Sequence, residues 1–407
     1  IRGRTDLPTA QDLAVSPADL VVHGPRPAGT LGLATATGDV DGDTHVDLVA
    51  SAPWAEGPLG PDAGDYRVGA VYVLRGQLPS GTGERDLETD PADMTIFGSV
   101  EAGLLGMRLL VADLDGDGRA DILAEAPAAS PYGTRECAGT AFVVSGGYVA
   151  GEMAAGRDVL DLGIAPPEAL LTTIFTPTDR EIWCDVESTV EWKAARDPYA
   201  AGDVNGAGFA DLVIATPRFT VDAARAEAGV VDVFFGPTFP EFIDLAAVRG
   251  DLTIRGAGPM HLLGFQVSTG DVDGDTVADV VSGAPGGGTA GEVDVVYGRS
   301  GPGPRVVDLA APPADETVRL FAPRRLPASG ISVATAHLDG DSLADIIAGT
   351  PVADVLTGAP QYTRAAWMVT GNTVRPGTRD LEASPPALLI LGADADDRAG
   401  IPFVEEA

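Results

Sequence analysis

The sequence predicts an all-β fold, a β-propeller of four-stranded antiparallel blades. A nine-residue acidic pattern recurs five times along the 407 residues. Each copy is followed by short apolar runs punctuated by Pro and Gly, the mark of strands separated by turns. A third observation is the small-residue run that precedes the pattern. Radially arranged four-stranded units leave only short, protected edges, which is why this repeat implies a propeller.

The elements follow in order within each repeat. Gly32, Gly106, Gly264 and Gly330 open a first strand, A, seven residues before the acidic pattern. Gly32-Leu-Ala-Thr-Ala-Thr-Gly38 and Ser332-Val-Ala-Thr-Ala336 are small throughout, as an innermost strand near a crowded axis requires. The acidic loop comes next: Asp39 to Asp47, Asp113 to Asp121, Asp203 to Asp211, Asp271 to Asp279 and His337 to Asp345. Strand B then runs into a proline: Leu48 to Pro53, Ile122 to Pro127, Leu212 to Pro217, Val280 to Pro285 and Ile346 to Pro351. Strand C closes on glycine: Ala70 to Gly76, Thr140 to Gly146, Val230 to Gly236, Glu292 to Gly298 and Ala366 to Gly371. After a linker containing Asp-Leu, strand D spans Met94 to Gly98, Leu171 to Phe175, Leu252 to Gly256, Val318 to Phe321 and Leu388 to Gly392. The expected blades are 31–98, 104–175, 196–256, 263–321 and 329–392, with partial blade strands at 1–24 and 398–407 and an insertion at 176–198.

The series of Gly, D-x-D-G-D-x-x-x-D and Gly-Ala-Pro resembles the FG-GAP repeat of integrin α-subunit propellers and of many secreted bacterial proteins. The copy from Gly264-Phe265 to Gly283-Ala284-Pro285 carries the resemblance best. Elsewhere Leu-Gly or Ser-Gly replaces Phe-Gly, and Ser-Ala-Pro, Glu-Ala-Pro, Ala-Thr-Pro or Gly-Thr-Pro replaces Gly-Ala-Pro. The resemblance implies seven blades in a complete ring. Ile1-Arg-Gly3 reads as the end of a strand C and Gly400 to Ala407 as a strand A, so the expectation is that this chain is a piece of a longer one.

Sixty acidic residues against 26 basic ones give a formal charge of −34. That excludes nucleic acid and anionic membrane surfaces as partners, because both need a basic footprint. No apolar run approaches the length that spans a bilayer. Lys193 is the one lysine and Asn205 and Asn372 the only asparagines, a usage associated with high-GC bacterial genomes.

The acidic loops point to a hard cation. Calcium takes six to eight oxygens in flexible geometry, whereas magnesium demands a stricter octahedron. Positions 1, 3, 5 and 9 of each loop supply side-chain oxygens and position 7 a carbonyl. The sets are Asp39, Asp41, Asp43 and Asp47 with His45; Asp113, Asp115, Asp117 and Asp121 with Arg119; and Asp271, Asp273, Asp275 and Asp279 with Val277. The fifth loop lacks the first carboxylate and keeps Asp339, Asp341 and Asp345 with Leu343. The third keeps only Asp203 and Asp211 as carboxylates, with Asn205 and Phe209, since Ala207 fills position 5 and Arg196 stands where the upstream glycine should be. An EF-hand needs a bidentate Glu at position 12. Ala50, Ala124, Ile214, Ser282 and Ala348 stand there instead.

His23, His45, His261 and His337 are scattered, and no Ser-His-Asp, zinc or phosphate-cradle spacing is present. The tripeptide Arg249-Gly250-Asp251 is expected to be a chance match. The insertion from Thr176 to Pro198, with Trp183, Cys184 and Trp192, reads either as a binding loop or as a cap. The function expected is a secreted or cell-surface calcium-binding propeller, non-catalytic, acting as a structural, adhesive or recognition module for a protein or glycan ligand. The alternatives are a subunit that assembles with copies of itself into a filament or layer, and a propeller that accompanies a hydrolase.

Successive loops of an antiparallel blade alternate between two faces. This puts Cys137, in a B–C loop, and Cys184, in the following D–A insertion, on one face and on neighbouring connections. A disulfide between them is expected, closing a loop worth about 4 kcal/mol in the chain-entropy model. Thiol titration of the denatured, unreduced protein should find no free cysteine; two free thiols would exclude the bridge.

Overall fold

Each acidic repeat forms four antiparallel strands in the computed structural model, which describes residues 20–391 except 26–28, 58–66, 77–82, 100–102, 130–138, 177–197, 302, 325, 327, 355–361, 372–373 and 375. Strands A to D are Thr35–Gly38, Asp47–Ala52, Ala70–Leu74 and Met94–Phe97 in blade 1. They are Leu109–Ala112, Asp121–Ala126, Thr140–Val144 and Leu170–Phe175 in blade 2. Blade 3 uses Tyr199–Gly202, Asp211–Thr216, Val230–Phe234 and Leu252–Arg255. Blade 4 uses Val267–Gly270, Asp279–Ala284, Glu292–Val296 and Thr317–Phe321. Blade 5 uses Ser332–Ala336, Asp345–Asp354, Tyr362–Val369 and Leu388–Leu391. A helix, Gly146–Ala154, follows strand C of blade 2 and is capped by the Ser145 hydroxyl, which accepts from Tyr148 N. The chain divides into two compact units, 1–112 with 117–184 and 113–116 with 185–407. Both segments expected to be partial strands at the two ends, 1–3 and 400–407, lie outside the described residues, as do Cys137, Cys184 and Arg196.

Strands B and C are buried along both faces and mostly apolar, because each blade is covered by its neighbours within its unit. Val71 and Val73 of blade 1 pack with Ile122, Ala124 and Val144 of blade 2. Val293 and Val295 of blade 4 pack with Ile346, Ala348 and Trp367 of blade 5. The small residues of strand A let successive blades approach closely. A Cβ on Gly202 would sit 2.9 Å from Thr269 Oγ1, and one on Gly270 3.2 Å from Thr335 Oγ1. The hydroxyls gain partners at that contact: Thr269 Oγ1 donates to Ala201 O and Thr335 Oγ1 to Thr269 O, both at 2.6 Å.

The Asp-Leu linkers are not loops, which corrects the sequence reading. Val159–Asp161 pairs in parallel with strand D of blade 1, Arg305–Asp308 with that of blade 3 and Gly377–Asp380 with that of blade 4. Gly83–Asp86 pairs in the same way with Leu20–His23. Each linker therefore adds an outer strand to the preceding sheet, and the leucine that follows, as at Leu162, Leu309 and Leu381, is buried. Three or four residues were too few to show a period, and Gly83–Asp86 is charged, so only the tertiary pairing defines these strands.

The last aspartate of each acidic loop is fully buried at Asp47, Asp121, Asp211, Asp279 and Asp345. Its Oδ1 accepts from the glycine that closes strand C: Gly76 N at 2.9 Å, Gly146 N at 2.8 Å, Gly236 N at 2.9 Å, Gly298 N at 2.9 Å and Gly371 N at 3.1 Å. Its Oδ2 accepts from position 2 of its own loop, at Val40 N, Val204 N, Val272 N and Leu338 N, all within 2.8–2.9 Å. The carboxylate thus ties the A–B loop to the end of strand C. The closing residue must be glycine for a steric reason: a Cβ on Gly76 would stand 2.1 Å from Val46 O, and on Gly298 2.2 Å from Ala278 O. Gly298→Ala should therefore destabilise the protein by roughly 2–4 kcal/mol, since backbone has to move. An unchanged denaturant midpoint for this variant would show that the strand C end does not depend on the close approach.

Candidate metal centre

The A–B loops are wound by their own carboxylates. In the first, Asp39 Oδ1 accepts from Gly42 N and Oδ2 from Thr44 N, each at 2.8 Å. Asp41 Oδ1 accepts from Asp43 N at 3.1 Å and Asp43 Oδ1 from His45 N at 2.8 Å. The fourth loop repeats the pattern, with Asp271 accepting from Gly274 N and Thr276 N, Asp273 from Asp275 N and Asp275 from Val277 N. These turns demand left-handed backbone at positions 4 and 6: Gly42 and Gly274 have φ of 77° and 88°, and Thr44 and Thr276 of 71° and 73°. Position 4 takes glycine because it has no Cβ to strain.

The winding gathers the acids. One oxygen from each of Asp39, Asp41 and Asp43 lies within 4.8 Å of the others, and Asp271, Asp273 and Asp279 form the same kind of group. Burial pushes the Asp279 carboxyl up to about 8, and the charges of Asp273 and Asp275 add to the shift. Such a group calls for positive charge. A cation with oxygen preference fits it, and would hold Asp271, Asp273 and Asp279 together by neutralising them. In the first loop part of that charge is already supplied, since Arg75 Nε lies 2.7 Å from Asp41 Oδ2. His45 Nδ1 lies 3.0 Å from Asp43 Oδ1, and that hydrogen bond raises the imidazole above its ordinary pKa.

The other loops differ. In the third, the Asn205 side-chain amide donates to Asp211 Oδ1 at 3.2 Å while its oxygen accepts from Ala207 N at 2.7 Å. A neutral amide therefore crosses the loop, and burial, with the Asp203 charge adding to it, pushes the Asp211 carboxyl up to about 6. In the fifth, His337 Nδ1 lies 2.9 Å from Leu343 O, so the imidazole engages the very carbonyl expected to be a ligand. Asp339 and Asp341 still wind the turn there, accepting from Asp341 N and Leu343 N. The boundary between the two compact units falls after Gly116, inside the second loop. On its first side Gly116 N donates to Asp113 Oδ1 at 2.8 Å, and on its second Arg119 N donates to Asp117 Oδ1 at 2.8 Å. Asp115 belongs to the first side.

Position 7 has a role the spacing alone did not show. Its side chain lies over the glycine of the preceding loop: a Cβ on Gly42 would meet Arg119, on Gly116 Phe209, on Gly206 Val277 and on Gly274 Leu343. The backbone makes the same link, since Ala120 N donates to Asp39 O, Ala278 N to Asp203 O and Ala344 N to Asp271 O, at 2.7–2.8 Å. The available signal was that position 7 is a large side chain in all five copies. Arg249-Gly250-Asp251, by contrast, is turned inward. Arg249 Nη1 and Gly250 N both bind Asp232 at 2.8–2.9 Å, and Asp251 Oδ2 accepts from Phe235 N.

The third loop supplies an internal comparison. Asn205→Ala should cost about 0.5–1.5 kcal/mol for each hydrogen bond removed, because Asp211 Oδ1 and Ala207 N each lose one of two partners. The loss should be equal in calcium and in chelator; thermal melts in both would check it, and a calcium-dependent loss would show that Asn205 serves an ion.

The FG-GAP repeat model matches residues 31–74 and 105–148. Human phosphatidylinositol-glycan-specific phospholipase D is 26% identical over 254 residues, 62% of this chain and 26% of that protein. Drosophila melanogaster integrin alpha-PS2 is 27% identical over 256 residues, again 62% of this chain and 15% of the relative. Integrin alpha pat-2 of Caenorhabditis briggsae is 28% identical over 257 residues, 62% of this chain and 18% of its own length. The chain thus spans about a quarter or less of each of these relatives. It carries FG-GAP repeats at 31–74 and 105–148, and over 62% of its length it is similar to integrin α subunits.

Proposed function

We propose that this chain is a calcium-binding FG-GAP propeller segment, extracellular and non-catalytic, that presents a stable surface to a protein or glycan partner. The observation that carries this is the convergence of three carboxylates in each of the loops at Asp39 and Asp271, on turns wound so that the acids face one another. The second loop, Asp113 to Asp121, has the same four acids in sequence and joins them. The third and fifth loops are the weak members, where Asn205 and His337 take up oxygens that an ion would need. The integrin relatives favour adhesion or recognition. The likeness to a phospholipase D favours a second reading, a propeller attached to a hydrolase, which a hydrolase screen of the protein would separate from the first.

Calcium here would serve stability. Each site filled to tenfold above its dissociation constant adds about 1.4 kcal/mol, because the ion binds only the folded loop. Weak sites of that kind suit millimolar extracellular calcium.

Asp43→Ala and Asp275→Ala should therefore lower the melting temperature in millimolar calcium and lower it less in chelator. Asp203→Ala should do much less in either. Elemental analysis should find calcium in the wild-type protein. If chelator leaves the melting temperature unchanged and no calcium is found, the metal reading fails for all the loops together.

A further inference from the structure

Blade 4 breaks the pattern of its neighbours in its core. The residue of strand C that is Tyr72 in blade 1, Phe142 in blade 2 and Trp367 in blade 5 is Asp294 here, paired across the sheet with Ser282 and Arg319. Two residues earlier, where blades 1, 2, 3 and 5 have Ala70, Thr140, Val230 and Ala365, stands Glu292. His261, from the connection into strand A, closes the group. His261 is 4% exposed, Glu292 0%, Asp294 1% and Ser282 2%. Blade 3 also has an aspartate at the Asp294 position, Asp232, but its oxygens accept from Arg249, Gly250 N and Thr253. In blade 4 the closure is partial, with Arg319 reaching one oxygen of each acid. His261 Nδ1, Glu292 Oε2, Asp294 Oδ2 and Ser282 Oγ are all buried without a hydrogen bond. Orphaned buried atoms of this kind are costly and rare, and the oxygens gathered here, Glu292 Oε2, Asp294 Oδ2 and Ser282 Oγ, point to a missing occupant.

We propose that His261, Glu292 and Asp294 form a buried transition-metal site, of zinc type, distinct from the calcium loops. One nitrogen and two carboxylates form a borderline set that suits zinc better than calcium, which prefers oxygens alone. The three ligand atoms lie within 4.8 Å of one another. His261 Nε2 stands 3.6 Å from Asp294 Oδ2, close to the edge of about 3.4 Å that a tetrahedron with 2.1 Å bonds requires. His261 Nε2 also contacts Glu292 Oε1 directly, a contact the ion would open. Ser282 Oγ, directly across the strand pair from Asp294, is placed to meet a fourth ligand such as water. The charges agree: Arg319 donates to both Asp294 Oδ1 and Glu292 Oε1 and compensates one carboxylate, leaving the other for the ion. The three-glycine run Gly286-Gly287-Gly288 covers the group, and a Cβ on Gly287 would stand 2.4 Å from Glu292 Cγ.

The test uses tag-free protein, freed of transition metals by phenanthroline in millimolar calcium and titrated with Zn2+ alone. Binding should saturate at one ion per chain and raise the melting temperature. His261→Ala should weaken it by more than the tenfold to roughly hundredfold that loss of an outer-shell partner costs. His23→Ala, at an exposed histidine, should leave it unchanged. Co2+ should give the visible d–d bands of a four-coordinate ion, displaced by zinc and altered in Glu292→Gln. No zinc uptake by the folded wild type, or uptake indifferent to His261→Ala, would overturn the proposal and leave a closed cluster of His261, Glu292, Asp294 and Arg319. If His261→Ala does not fold, the cobalt spectrum decides: bands that are absent from the wild type, or unchanged in Glu292→Gln, overturn it equally.

Discussion

Every blade depends on one buried carboxylate. The aspartate at loop position 9 accepts from the start of its own loop and from the glycine that ends strand C, and it does so with no exposed surface. Burying a charged carboxylate is expensive, and hydrogen bonds to the charged form, each worth about 1.5–3 kcal/mol, offset that cost. The bond fixes where strand A turns into strand B relative to strand C. The absence of a side chain at Gly76 or Gly298 is the other half of the same device, because the peptide of position 8 occupies the space a Cβ would need.

Upon that anchor the rest of the loop is an electrostatic problem. Positions 1, 3 and 5 spend part of their hydrogen-bonding capacity on backbone N–H groups to wind the turn, and the winding brings like charges together. The molecule answers in different ways. Blade 1 has Arg75 against Asp41, blade 3 has a neutral Asn205 amide against Asp211, and blade 4 brings oxygens of Asp271, Asp273 and Asp279 within 4.8 Å of one another. Within each unit the loops are not independent, because the position 1 carbonyl and the position 4 glycine both meet the next loop.

Much of this was legible in the sequence because the chain repeats itself. The recurring apolar runs and turn residues located strands B, C and D of all five blades and strand A of four, and the acidic spacing located the loops. The outer strands were hidden because Val159–Asp161 and its counterparts are too short to show a period and acquire strand geometry only by pairing with a neighbour. Position 9 was read as a ligand on a par with the others; only the structure shows that it first binds Gly76 N or Gly298 N. The His261 cluster was invisible for a different reason. His261 lies far in sequence from Glu292 and Asp294, and a glutamate or aspartate in a strand reads as a solvent-facing residue until the neighbouring blade covers it.

The most direct test is hydrogen exchange at residue resolution in the folded protein, with calcium and with chelator. The amides of Gly76, Gly298 and Gly371 should stay protected in both, because the buried aspartates hold them without an ion. The amides of Gly42, Thr44, Gly274 and Thr276 should lose protection on chelation, while those of Ala207 and Gly208 in the third loop should not change. If the closing glycines lose protection together with the loops, or the third loop responds as the others do, then the ion and not the buried aspartate is what holds the blade, and the account is wrong.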